Sequence, residues 1–179
     1  MLKLTRYAIP IGLFAILVVF LWKSLSIDPR VLPSALINKP APQFNLANLN
    51  PGEQNFSNND LRGHISIINV WASWCSACRD EHTFLQALAA NQELPIYGIN
   101  YKDNPQRARQ WLEQFGNPYD KIGVDNDGKT AINFGIYGTP ETYIVDQAGQ
   151  IRYRHVGAIN DTVMQHEILP LLQSLAGAK

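Results

Sequence analysis

Two cysteines, Cys75 and Cys78, lie three positions apart just after a short apolar segment, and the chain has no others. Residues 65–71 (ISIINVW) are apolar and rich in β-branched side chains, which is typical of a buried strand. From residue 75 to residue 90 the apolar positions recur at helical spacing. The pattern therefore predicts a strand-to-helix junction with both thiols at the start of the helix.

The rest of the chain alternates strand and helix patterns. We predict, in order, a strand at 94–100, a helix at 105–115, a short helix at 131–134, a strand at 141–146, a return strand at 150–156 and a closing helix at 161–175. This order indicates an α/β fold with a central mixed sheet flanked by helices. With 179 residues, 46% of them hydrophobic, the chain can bury one core of ordinary size. Its formal net charge of +0 argues against a nucleic-acid partner.

The N-terminus has the character of an export signal. Residues 8–22 carry no charge and lie between Arg6 and Lys23. Such a segment is either cleaved or kept as an anchor, and the poor cleavage site near Ser24 favours an anchor. We therefore predict a cytoplasmic N-terminus at 1–7, a transmembrane helix at 8–27, a tether at 28–37 and a globular domain at 38–179. The domain would lie outside the cytoplasmic membrane, in an oxidising compartment.

The spacing of the cysteines suits thiol-disulfide exchange. Unpaired N–H groups and the helix dipole stabilise a thiolate at a helix N-terminus, which makes Cys75 the predicted nucleophile. Cys78 lies one turn further on and can resolve a mixed disulfide by attacking the sulfur of Cys75. Trp74 is expected to shield one side of the pair.

Other roles for the cysteine pair fit less well. A structural zinc site needs about four Cys or His ligands, and the four histidines supply no second close pair. Covalent haem attachment requires a histidine directly after Cys78, where Arg79 stands. A purely structural disulfide across three residues would stabilise little. The zinc site and the inert disulfide remain weaker alternatives.

Two segments resemble a known family. Residues 71–82 (WASWCSACRDEH) and 135–146 (GIYGTPETYIVD) closely resemble the cytochrome c biogenesis thioredoxins, the CcmG/DsbE group. The resemblance covers essentially the whole chain, including the anchor and the tether. It implies a thioredoxin-like fold, protein disulfide reductase activity and a redox-active disulfide between Cys75 and Cys78. It also implies a single-pass protein of the bacterial inner membrane with its domain in the periplasm.

The resemblance implies further site residues. It makes Thr139–Pro140 a cis peptide that faces the cysteines, and Tyr137 a substrate-facing residue. Glu81 and Glu141 are hypothesised to approach the thiols and raise their pKa values, because a nearby negative charge disfavours the thiolate. Solvated surface glutamates are the alternative. Asn69 stands where general thioredoxins carry a buried acid, which suggests a different proton route, through Glu81.

The implied partners follow from the same resemblance. The protein would reduce the cysteines of apocytochrome c, or of a partner that carries them, before haem attachment, and a membrane thiol reductase would restore its dithiol. No cofactor or metal is implied. The competing functions are a general periplasmic thiol reductase or oxidase and a non-catalytic apocytochrome-binding module. A thiol peroxidase fits less well, because Ile68 and Ala72 stand where the peroxiredoxin pattern has Pro and Thr.

Overall fold

The computed structural model describes residues 2–25, 35–90 and 94–177. Its elements, in chain order, are α1 (Leu2–Leu25), β1 (Lys39–Pro40), β2 (Asn45–Leu46), β3 (Phe56–Ser57), β4 (Ser66–Trp71), α2 (Ser76–Ala90), β5 (Ile96–Tyr101), α3 (Pro105–Phe115), β6 (Lys121–Asp125), α4 (Lys129–Phe134), β7 (Glu141–Val145), β8 (Gln150–Val156), α5 (Asp161–Val163) and α6 (Leu169–Gly177). A 3-10 turn (Asn58–Leu61) follows β3, and a π-helical turn (Met164–Ile168) joins α5 to α6.

Helix α1 forms a unit of its own, separate from the domain that follows. Among the described residues, no helix combines the length and the apolar character that crossing a bilayer requires. Residues 26–34, which include the end of the predicted anchor and most of the predicted tether, lie outside the described ranges. The transmembrane helix at 8–27 therefore stays a prediction.

The domain is built around a six-stranded sheet with the order β1-β8-β7-β4-β5-β6. Strands β4, β5 and β6 are parallel to one another, whereas β7 is antiparallel to both β4 and β8. This arrangement confirms the predicted central mixed sheet. The central position of β4 explains its largely apolar sequence, because all six of its residues are buried.

The predicted helix at 105–115 and the return strand at 150–156 have these bounds in the structure. Strand β6 was not predicted, since its short sequence (KIGVD) contains a glycine and has no clear alternation. That glycine, Gly123, is required by packing: a Cβ atom there would lie 2.7 Å from the Cβ of Leu46. Strands β1, β2 and β3 were not predicted either, because each has only two residues and so shows no recognisable pattern.

Neighbouring residues of β4 point to opposite faces of the sheet, so the domain has two apolar cores. Ile67 and Trp71 belong to the first core, which also contains Cys75, Cys78 and buried residues of α2, α3 and the C-terminal helices. Ile68 and Val70 belong to the second core, with residues of α4 and of the β2–β3 ribbon. The cysteines thus lie on the first face of the sheet.

The closing helix, predicted as one element, has a π-helical turn in its middle. The N–H of Leu169 donates to the carbonyl of Met164, five residues earlier, rather than to the residue four positions back. The cause lies next to it, since Pro170 has no N–H and cannot continue the ordinary hydrogen-bond pattern. The helix begins as the sequence suggests, with the side chain of Asn160 accepting from the N–H of Val163.

Candidate active site

The cysteine pair lies where β4 passes into α2. A turn closed by a hydrogen bond from the Cys75 N–H to the Ala72 carbonyl (3.1 Å) connects the two elements. Cys75 precedes the helix and Cys78 lies in its first turn, and the two are joined by a disulfide with a Cα–Cα distance of 5.3 Å. The backbone N–H of Cys78 donates to the sulfur of Cys75 at 3.1 Å. The predicted junction is therefore confirmed, and a helix N–H does point at the first sulfur.

Two large aromatic side chains of the predicted site are exposed. Trp74 is 58% exposed, and its indole N–H donates to the carbonyl of Lys102 at 3.1 Å. Tyr137 is 85% exposed, and its ring lies 5.6 Å from the guanidinium carbon of Arg154. Exposed aromatic rings of this size provide apolar area for a partner protein.

The peptide bond between Thr139 and Pro140 is cis, as the resemblance implies. Pro140 is buried directly before β7, and its carbonyl accepts a hydrogen bond from the N–H of Gly157 at 2.9 Å. Thr139 is half-buried. The segment is thus held at its proline end by the chain that follows β8.

Glu81 is fully buried on α2, which excludes the alternative of a solvated surface glutamate. Its carboxylate accepts from the side-chain amide of Asn69 (2.7 Å) and from the N–H of Ile159 (3.0 Å). Asn69 in turn donates to the hydroxyl of Thr142 (3.1 Å) and accepts from that of Tyr119 (2.8 Å). Because Asn69 is an amide, it adds no second charge to this buried network.

The electrostatics of the network follow from burial. Desolvation raises the pKa of Glu81 from 4.5 to about 7, although the hydrogen bonds from Ile159 and Asn69 act in the opposite direction. Burial, and then the charge of Glu81, raise the pKa of the Tyr119 hydroxyl well above its ordinary value. Glu81 can therefore gain or lose a proton near neutral pH, while Tyr119 keeps its proton and remains a hydrogen-bond donor.

Glu141 is also fully buried, but it belongs to a different network. Its carboxylate accepts from the N–H of Tyr137 (3.0 Å), the hydroxyl of Tyr143 (2.9 Å) and the guanidinium of Arg154 (2.9 Å). Arg154 also donates to the carbonyl of Gly135 (2.9 Å). The negative charge of Glu141 is therefore balanced by a buried cation on the neighbouring strand.

The two glutamates, both of which we expect to approach the thiols, therefore belong to separate networks. Thr142 points to the face of the sheet that carries Asn69 and Glu81, so its strand neighbour Glu141 points to the other face. There it meets Tyr143, a residue of the second core. Of the two glutamates, Glu81 alone shares the face of the cysteine core, and both of its hydrogen-bond donors are neutral, whereas Glu141 also binds a guanidinium.

Sequence reasoning missed Arg154, Tyr119 and Asp103 as parts of the site. The alternation of β8 could have placed Arg154 beside Glu141, but the register of the β7–β8 hairpin was needed to pair them. Nothing local in the sequence marks Tyr119 as a partner of Asn69, since fifty residues separate them. Asp103 looks like part of a helix start, yet its carboxylate binds Ser73, next to the cysteine pair.

Comparison with known proteins identifies the family of the chain. The sequence model of the AhpC/TSA family matches residues 37–154. The thiol:disulfide interchange protein DsbE of Allochromatium vinosum is 41% identical over 97% of this chain and 96% of its own length. The DsbE of Yersinia pestis is 46% identical over 94% of this chain and 93% of its own.

Among solved structures, a putative DsbE from Chlorobium tepidum superposes with a TM-score of 0.64, covering 78% of this chain and 97% of that one at 23% identity. At that identity the likeness concerns the fold, which is thioredoxin-like. Thiol-disulfide chemistry is indicated by the two relatives of higher identity and by the Cys-x-x-Cys disulfide at the start of a helix. The chain therefore belongs to the AhpC/TSA family and, within it, to the DsbE thiol:disulfide interchange proteins, which makes it a disulfide oxidoreductase.

Proposed function

We propose that this protein reduces the cysteines of apocytochrome c, or of a maturation partner that carries them, before haem is attached. The observation that carries the proposal is the 41% identity to a DsbE protein over 97% of the chain, with the cysteine pair in place. The resemblance of residues 71–82 and 135–146 to the cytochrome c biogenesis thioredoxins supports the choice of substrate. Free substrate cysteines are needed because thioether bonds to haem cannot form from a disulfide.

In the proposed reaction, the Cys75 thiolate attacks one sulfur of the substrate disulfide. The other substrate sulfur leaves as a thiolate and takes a proton from water. The Cys78 thiolate then attacks the sulfur of Cys75, which releases the second substrate thiolate and closes the Cys75–Cys78 disulfide. Two electrons pass from the protein to the substrate, and a membrane thiol reductase returns two electrons and two protons.

The proposed substrate-facing surface consists of Trp74, Tyr137 and Thr139–Pro140. The exposure of both aromatic rings supports it, because apolar side chains of a partner can cover them. The backbone of Thr139 would pair with an extended segment of substrate, which offers main-chain hydrogen bonds whatever the substrate sequence.

Glu81 is proposed to tune the thiols and to carry their protons. Its burial and its raised pKa support this role, because a carboxylate close to the thiols disfavours the thiolate and holds the pair reduced until a partner docks. Titration of Cys75 in a Glu81→Gln variant tests the proposal. The thiol pKa should fall, and an unchanged value would remove the role.

We also propose that residues 8–27 anchor the protein in the bacterial inner membrane, with the domain in the periplasm. The uncharged run between Arg6 and Lys23 supports this location. A C-terminal alkaline phosphatase fusion should be active, and the protein should stay with membranes after alkaline extraction. Release by alkali would indicate a cleaved signal peptide instead.

The decisive experiment is disulfide trapping with the full-length Cys78→Ala variant in a bacterium that makes c-type cytochromes. Without the resolving thiol, the mixed disulfide at Cys75 should persist and contain apocytochrome c or a maturation protein. The matched control, with Cys75 also replaced by Ala, should capture nothing. Capture of many unrelated exported proteins would favour a general thiol reductase or oxidase. Full cytochrome maturation by a Cys75→Ser variant would favour a non-catalytic binding module.

A further inference from the structure

The turn that carries Cys75 is hydrogen-bonded to the loop between β5 and α3. Its closing hydrogen bond joins Ala72 to Cys75, so Ser73 and Trp74 are its two central residues. Both contact residues 102–103, about thirty positions further along the chain. The position of Cys75 therefore depends on a loop that contains neither cysteine.

The main contact is the carboxylate of Asp103. One of its oxygens accepts from the N–H of Ser73 (2.6 Å) and from the amide of the buried Asn100 (3.0 Å). The other accepts from the hydroxyl of Ser73 (2.8 Å) and from the N–H of Asn104 (2.8 Å). Hydrogen bonds to an ionised acceptor are stronger than neutral ones, and here two of them hold one residue of the turn.

The second contact comes from the backbone of Lys102. Its carbonyl accepts from the indole N–H of Trp74 at 3.1 Å, and its own N–H donates to the carbonyl of Asp125 at 3.0 Å. Lys102 has a φ of 44°, in the left-handed region that residues other than glycine rarely adopt. Such a conformation persists where surrounding contacts hold it, and it clusters at functional sites.

We propose that Asp103 is a positioning residue for thiol-disulfide exchange, which places Cys75 by binding Ser73. The inference rests on the proposed role of Cys75 as the nucleophile. In the disulfide form the sulfur of Cys75 lies 3.1 Å from the backbone nitrogen of Cys78, and a Cys75 thiolate that keeps this position is stabilised by that N–H. If the turn shifts, that contact lengthens and the thiolate loses stabilisation.

An Asp103 carboxylate could affect the pKa of Cys75 in two ways, and these predict changes of opposite sign when the carboxylate is removed. As a negative charge alone, the carboxylate would disfavour the thiolate, so its removal would lower the pKa of Cys75. As a positioning group, it favours the thiolate through the turn, so its removal raises that pKa. The exposed Asp80, in α2, provides a matched control because Asp80→Asn removes one charge and no contact to Ser73.

The test is the pH dependence of Cys75 alkylation by iodoacetamide in the reduced full-length chain, purified in detergent and carrying Cys78→Ala so that only one thiol reacts. For Asp103→Asn we expect an apparent pKa higher by about half a pH unit or more, and about three-fold slower alkylation at pH 7. Asp80→Asn should lower the value or leave it unchanged. A fall or no change for Asp103→Asn would overturn the proposal.

If the Asp103→Asn variant does not fold, the Ser73→Ala variant tests the positioning role instead. It keeps the Asp103 charge and removes only the 2.8 Å hydroxyl bond, so a smaller rise of the Cys75 pKa is expected and an unchanged value overturns the proposal. Failure of the proposed function looks different. In that case the parent Cys78→Ala protein would itself form no mixed disulfide with a disulfide substrate, whatever stands at position 103.

Discussion

At the scale of single residues, Glu81 and Glu141 are both buried carboxylates, but their hydrogen-bond partners differ in charge. Glu141 has a guanidinium partner, so its charge is compensated where it lies. The donors to Glu81 among the described residues are an amide and a backbone N–H, which are neutral. Burial removes the Glu81 carboxylate from water, and this desolvation raises its pKa to about 7 although both donors act to lower it.

Glu81 should make the stability of the folded protein depend on pH. Because its pKa is raised from 4.5 to about 7 on folding, its contribution is fully present below about pH 4.5 and is lost as the pH rises through about 7. The difference corresponds to about 3 kcal/mol. Urea unfolding at pH 4.5 and pH 8 should therefore show that Glu81→Gln loses less free energy of unfolding than the wild type between these values.

The control for this experiment is Glu113→Gln, which replaces an exposed glutamate of α3. This variant should keep the wild-type dependence on pH. If Glu81→Gln also keeps it, the buried carboxyl does not take up a proton on folding, and the explanation for its raised pKa is wrong.

At the scale of elements, β8 carries two arginines that form ion pairs of different kinds. The Arg154 side chain, 9% exposed, meets the buried Glu141, whereas Arg152 on the same strand is 38% exposed and meets Asp146 at 3.3 Å. Removing one partner of a buried pair leaves an uncompensated charge, while an exposed pair is largely solvated. The two arginines are therefore a matched comparison.

Arg154→Ala should lower the free energy of unfolding by about 3–5 kcal/mol, because Glu141 stays buried without its cation. Arg152→Ala should cost at most about 1 kcal/mol. Denaturant unfolding of the oxidised protein measures both. Adding Glu141→Gln to Arg154→Ala should recover part of the loss, and equal costs for the two arginine variants would contradict the explanation.

The contact between β6 and the β2–β3 ribbon predicts a second effect at this scale. A Cβ atom at Gly123 would lie 2.7 Å from the Cβ of Leu46 and 3.2 Å from the ring of Phe56. Gly123→Ala should therefore destabilise the domain by about 1–3 kcal/mol through overpacking. Gly138→Ala, where an added Cβ meets no atom within 4 Å, should change the unfolding free energy by less than about 1 kcal/mol.

At the scale of the whole molecule, the two apolar cores draw their residues from positions 36 to 175. Residues 35–179 alone should therefore fold, with one cooperative unfolding transition in denaturant and the same rate of Cys75 alkylation as the full-length chain. Circular dichroism and the alkylation assay measure these properties. A truncated protein that unfolds gradually would show that the first 34 residues contribute to the core.

Local sequence patterns were enough to predict those parts of this protein that neighbouring residues encode. The apolar run before the cysteines and the spacing of Cys75 and Cys78 identify the strand-to-helix junction, and an apolar stripe identifies α3. In each case residues close in the chain carry all of the information. Resemblance of two short motifs added the fold family and the cis peptide at Pro140.

The contacts between side chains that lie far apart in the chain follow from the tertiary fold instead. Glu81 meets the N–H of Ile159 from 78 positions away, Ser73 meets Asp103 across 30, and Glu141 meets Arg154 across the register of a hairpin. Whether such side chains touch depends on strand order and on which face each residue takes. A shift of one residue in β7 or β8 would move Glu141 or Arg154 to the opposite face of the sheet, and no local pattern specifies that choice.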